Sequence, residues 1–129
     1  MHAEHEEAMR SDFHDCIALS WKAWRPGITS TESDGIYRAV DDYDTRWSQG
    51  PYGREWDFLC ASYKDWRDLP HDMDKFAQDV RANPDKYTEF GVTEVQRRSI
   101  DQAENIVREE RSLLRAQPYT KQLPIRRER

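Results

Sequence analysis

The sequence predicts an all-α fold: a small antiparallel helical bundle of four to five helices, followed by an extended basic C-terminal tail. Three observations lead there. Apolar residues recur every three or four positions along almost the whole chain, the spacing that lines one face of a helix. No stretch of alternating apolar and polar residues bounded by turn residues argues for a strand. Proline, glycine and Asn-Pro pairs cut the chain into segments of helical length.

The first helix is expected from about Ala3 to Trp24, with Met9, Phe13, Ile17, Trp21 and Trp24 on one side and Pro26-Gly27 as its stop. The polar stretch from Thr29 to Gly35 reads as a loop. Ile36, Val40, Tyr43 and Trp47 then step by four, three and four, forming one face of a second helix that ends at Gly50-Pro51-Tyr52-Gly53. Trp56, Leu59, Cys60, Tyr63 and Trp66 repeat the pattern until Pro70 ends or kinks the third helix. Met73, Phe76, Ala77 and Val80 mark a short fourth helix, with Asp72 as N-cap and Asn83-Pro84 as its end.

The last helix is expected from Glu94 to about Ala116. Thr93 and Gln96 have capping-box spacing, and Glu94 with Arg98 and Glu104 with Arg108 are i, i+4 pairs in the favourable direction. Its apolar stripe through Val95, Ser99, Ala103, Ile106 and Leu113, widened by Ile100, Val107 and Leu114, is broad enough to lie across two neighbouring helices. Pro118 ends it. Residues 117–129, with a second proline at Pro124, are expected to be extended. The division is thus a helical domain over 1–116 and a Pro/Arg-rich tail over 117–129.

Composition bounds the rest. The 129 residues are 36% apolar and 35% charged, against roughly 45–50% (glycine included) and about 25% in ordinary domains. Leu, Ile, Val and Phe number only 21, so the core must be thin, and five Trp and six Tyr restore apolar area. Trp21, Trp24, Val40, Trp47, Trp56, Tyr63, Phe76, Ile100 and Ile106 are the core candidates. No run of about 18 apolar residues predicts a membrane span. The polar, acidic start MHAEHEEAMR does not read as a signal or transit peptide, so an intracellular setting is expected. Cys16 and Cys60 form no CxxC pair and read as packing residues.

Chemistry-bearing constellations are sparse. His2, His5 and Glu6 sit at i, i+3 and i+4, a spacing able to present three metal ligands, yet a solvated helix start with glutamates near the positive end of the dipole is the better reading. His14-Asp15 and the Asp68, His71 pair are the other carboxylate and histidine neighbours, and Pro70 interrupts the second. Asp41, Asp42 and Asp44 lack the glycine of a calcium loop and read as the solvated side of the second helix. The glycines spell neither a GxGxxG nor a P-loop, and no GxSxG is present. No catalytic residue, cofactor or metal is therefore expected, and a non-enzymatic protein is.

Charge is uneven. Residues 1–90 carry 11 basic and 19 acidic side chains, residues 91–129 carry 9 and 6, an acidic body with a basic arm. Arg108, Arg111 and Arg115 stack at i, i+3 and i+7, and Tyr119, Lys121, Arg126, Arg127 and Arg129 continue the arm. These eight are the candidate partner-binding residues. A pI near 5.4 and the interruptions at Glu104, Glu109 and Glu110 argue against nucleic acid. The arm suits an acidic protein surface, or this protein's own acidic body.

Across residues 72–107, Asp72, Met73, Asp74, Val80, Asn83-Pro84, Lys86, Tyr87, Glu94, Arg97-Arg98 and Ile100 fall in an order that resembles the N-terminal domain of syntaxin-6-type SNARE proteins. The resemblance implies a small antiparallel helix bundle that binds other trafficking proteins, with no catalytic residue to carry over. The expected function is that of an interaction protein, most simply an accessory or scaffolding subunit docking on a larger assembly. Alternatives are a regulatory domain of a SNARE-like trafficking protein and a nucleic-acid-associated protein using the arginine-rich arm. Oligomeric state is left open.

Overall fold

A computed structural model describes residues 1–116. Among them lie six helices and no strand: α1 (Ala3–Lys22), α2 (Ser30–Ser48), α3 (Gly53–Asp68), α4 (Pro70–Ala82), α5 (Pro84–Glu89) and α6 (Glu94–Ala116). The all-α expectation holds, and the count of four to five helices is corrected to six. The additional helix is α5. Asn83-Pro84 does end α4, but Pro84 also opens a new turn, where its fixed φ and missing N–H cost nothing. The expected extended tail lies outside the described residues.

Three boundaries also differ from expectation. The segment after Thr29 is not a loop, because a capping box starts α2 at Ser30: Thr29 Oγ1 accepts from the Glu32 N–H at 3.1 Å, and Glu32 Oε1 accepts from the Thr29 N–H at 3.2 Å. Asp72 is not the N-cap of α4. Pro70 sits at its first position behind Leu69, which leaves Asp72 in the first turn, favourably placed for the dipole. α1 ends at Lys22, and the chain leaves it in turns, with the Trp24 N–H donating to Trp21 O. Gly27, at φ +82°, then redirects the backbone through a region costly for other residues.

The core lies where α3 meets α6. Trp56, Leu59, Tyr63 and Trp66 of α3 pack with Ile100, Ala103, Ile106 and Val107 of α6. Met9 and Phe13 of α1 and Met73, Ala77 and Val80 of α4 complete it. Phe13 stands edge-on to Trp56 at 5.4 Å and to Tyr63 at 6.0 Å, a geometry that adds to the area each ring removes from water. Of the core candidates, Trp56, Tyr63, Ile100 and Ile106 are buried. Trp21, Trp47 and Phe76 are instead partly buried and pack at the margin, and Trp24 and Val40 remain intermediate in exposure. For Val40 and Trp47 the reason lies in α2, which contributes no buried residue. It covers α1 and the start of α3 from outside, with Trp47 stacked on Trp56 at 5.8 Å.

Candidate functional site

The ionisable groups drawn into the interior are committed to holding helices together. Glu6 of α1 accepts from Arg98 of α6 at both oxygens, 2.7 and 2.8 Å, and from Arg10 at 2.6 and 3.0 Å. Arg10 also reaches Ser99 Oγ, Gln102 Oε1 and Val95 O, so one guanidinium divides its donors between Glu6 of its own helix and α6. The Arg98 hydrogen bonds, with Arg10 adding to them against the cost of burial, hold the Glu6 carboxyl down at about 2. Glu110, 3% exposed, accepts from Trp21 Nε1 at 3.0 Å and from the Tyr63 hydroxyl. Burial, then that hydrogen bond to Glu110, pushes the Tyr63 phenol well up. Glu110 is therefore not a charge on the arginine face of α6, as its place in the sequence suggests, but an acceptor beneath it.

The acidic knot has a second role. Asp41, Asp42 and Asp44 are all exposed, as expected, and Asp44 in addition accepts from Trp56 Nε1 at 2.8 Å. Asp12 does the same for Trp47 at 2.8 Å. The helix-start trio is split. Glu6 is engaged by two arginines, while His5 Nδ1 lies 2.8 Å from the Tyr52 hydroxyl. His14 meets Glu109 across to α6 at 3.1 Å rather than Asp15, and Asp68 pairs with Arg67 rather than His71. Among the described residues no group of three or more His, Cys, Asp or Glu is placed to hold a metal ion. Cys16 is buried and Cys60 half-buried, both as thiols. Burial, then the nearby aspartates, pushes them up to about 11 and about 12.

What the fold leaves unfilled is a groove between α3 and α4. α3 presents Phe58, Ala61, Ser62 and Asp65 beside its core face, Leu69 sits at the corner, and α4 supplies Asp72, Met73 and Phe76. The groove encloses about 360 Å³, at the lower end of the roughly 300–1,000 Å³ of ligand pockets. Its polar side chains are Ser62, Asp65 and Asp72, with no cation, histidine or thiol in the lining. Leu69 is 54% exposed. Beyond the groove the apolar surface continues: Phe76 meets Tyr87 edge-on at 5.7 Å, and Tyr87 meets Phe90 at 6.3 Å. Phe90 is 72% exposed. Such a site offers apolar contact beside negative charge.

The sequence singles out Met73 and Phe76 only as core-facing and passes over Phe58, Leu69 and Phe90. The signal was present: Leu69, Met73 and Phe76 step by four and three. Pro70 does end α3, as expected, and Leu69, the N-cap of α4, heads a stripe that begins one residue before that break.

Of the expected partner-binding arm, α6 carries the first three residues. Arg108 pairs with Glu104 at 2.9 Å, Arg115 donates to Ser112 Oγ at 3.2 Å, and Arg111 donates to Trp66 O at 3.1 Å. Arg111 thus ties α6 to the end of α3. Tyr119, Lys121, Arg126, Arg127 and Arg129 lie outside the described residues. Residues 72–107 fall on α4, α5 and the first part of α6. There Asp79 accepts from Asn83, Lys86 and the Tyr87 hydroxyl, and the Tyr87 hydrogen bond foremost holds its carboxyl below the usual range. Comparison with family models, curated proteins and solved structures finds no match for the chain.

Proposed function

We propose that this chain is a non-enzymatic interaction protein: an antiparallel helical bundle serving as an accessory or scaffolding subunit on a larger protein assembly. The observation that carries the reading is the apolar strip from the α3–α4 groove to Phe90, with Leu69 and Phe90 facing solvent. A continuous exposed apolar surface is the usual mark of an interaction site, and aromatic residues at such a surface carry a large share of binding energy. The acidic lining adds a chemical requirement. The partner element presents apolar side chains flanked by lysine or arginine, since a carboxylate desolvated without a counter-charge opposes binding. The resemblance of residues 72–107 to syntaxin-6-type domains makes trafficking proteins the first partners to try.

The test is gentle isolation of the tagged full chain from its source beside a Leu69→Asp, Phe90→Asp variant. Both sites are exposed, and Asp suits the N-cap position of Leu69, so the fold is retained. The wild-type chain is expected to elute in an assembly of fixed stoichiometry and the variant alone, with equal helical circular dichroism. A wild-type chain that elutes as a monomer overturns the proposal.

A further inference from the structure

We infer that the α3–α4 groove has a built-in occupant: the chain's own segment 123–127, Leu-Pro-Ile-Arg-Arg, which docks there in competition with the partner. The inference rests on reading the groove as a docking surface, and it names what covers that surface when no partner is present.

Three observations converge. The first is charge. Residues 1–116 carry 16 basic and 24 acidic side chains, and residues 117–129 carry four and one. In the groove the contrast sharpens, because Asp65 and Asp72 are its only charged lining residues, and neither has an ion pair among the described residues.

The second is the pattern of the segment. Leu123, Pro124 and Ile125 are the only run of three apolar residues after Pro118, and Arg126 and Arg127 follow directly. This is the apolar-then-cationic chemistry that Phe58, Leu69, Met73 and Phe76 beside two aspartates call for. Pro124 limits the freedom of the segment before docking, which lowers the entropy lost on docking.

The third is reach. Arg111 donates to Trp66 O, next to Asp65 of the lining, so α6 passes within one arginine side chain of the groove wall. Ala116 is five residues, roughly 7.5 Å of helix, further on. The seven residues from Ala116 to Leu123 span up to about 24 Å, which is enough to turn back.

A filled groove lowers a partner's apparent affinity by the fraction of time it is filled. Occupancy of nine-tenths weakens binding about tenfold. Removing the segment therefore strengthens partner binding.

The experiment uses the full chain labelled at its methionine and isoleucine methyl groups, followed by NMR, with no partner present. Met73 lines the groove and Met9 lies in the core, so one reports docking and the other reports the fold. Leu123→Ser with Ile125→Ser, and separately Arg126→Glu with Arg127→Glu, are expected to move the Met73 signal and leave Met9 in place. Cross-peaks between the Ile125 and Met73 methyl groups are expected in the unaltered chain, undiminished on tenfold dilution. A Met73 signal indifferent to both double variants overturns the inference. So do cross-peaks that vanish on dilution, which would place the segment of a second copy in the groove. Failure here leaves the partner experiment above unaffected, since that one reads assembly and this one reads only the isolated chain.

Discussion

Glu6 joins α1 to α6 through one carboxylate, and its pH behaviour follows from that position. Its folded pKa of about 2 lies below its usual value of 4.5, so the unfolded chain binds the proton more readily. The stabilisation is fully present above about pH 4.5 and is lost as pH falls toward 2. Arg98 is half exposed, so solvent screening trims the contribution to on the order of 2 kcal/mol. Glu6→Gln is expected to lower stability by about that much at pH 7 and by almost nothing near pH 2, read from denaturant melts at the two pH values. The thiols give a second residue-scale expectation. With Cys16 at about 11 and Cys60 at about 12, neither holds appreciable thiolate at pH 8. Both are expected to resist iodoacetamide in the folded chain and to react once urea unfolds it, as mass spectrometry will show.

Two glycines distinguish the elements around α2. Gly35 lies inside the helix with open space where a Cβ would go, so Gly35→Ala is expected to stabilise by about 0.5–1 kcal/mol. At Gly53, opening α3, a Cβ would stand 2.4 Å from Ser48 O. That backbone atom cannot swing aside, so Gly53→Ala is expected to destabilise by about 1–3 kcal/mol. Opposite shifts in thermal midpoint check the pair. Element by element, legibility in the sequence tracked how local the cause was. The bounds of α6 were readable because Thr93 and Gln96 cap each other within one turn. The start of α2 had the same kind of signal in Thr29 and Glu32, masked by the polar character of the residues between them. α5 was missed because a proline that ends one helix and one that begins the next look alike. The groove was missed for a different reason: Leu69, Met73 and Phe76 keep helical spacing in the sequence, but the wall that Phe58 and Asp65 set opposite them exists only once α3 and α4 lie side by side, and the roles of Asp44 and Glu110 depend on which indole faces them in space.

At the scale of the molecule, stability should be graded from the α3–α6 seam outward. α2 and α5 contribute no buried residue, whereas α3 and α6 carry most of the core. Backbone amides of α2 and α5 are therefore expected to exchange with deuterium well before those at Leu59, Tyr63, Ala103 and Ile106, which open only with the whole fold. Equal protection throughout would contradict this grading. The same seam sets an order of events during synthesis. α3 is made first, and Trp56, Leu59, Tyr63 and Trp66 find their principal cover only in residues 100–107 of α6. A nascent chain that has emerged as far as α5 thus exposes a row of large aromatic side chains to solvent or to a chaperone, and the interval before α6 clears the ribosome is when this protein is most open to aggregation.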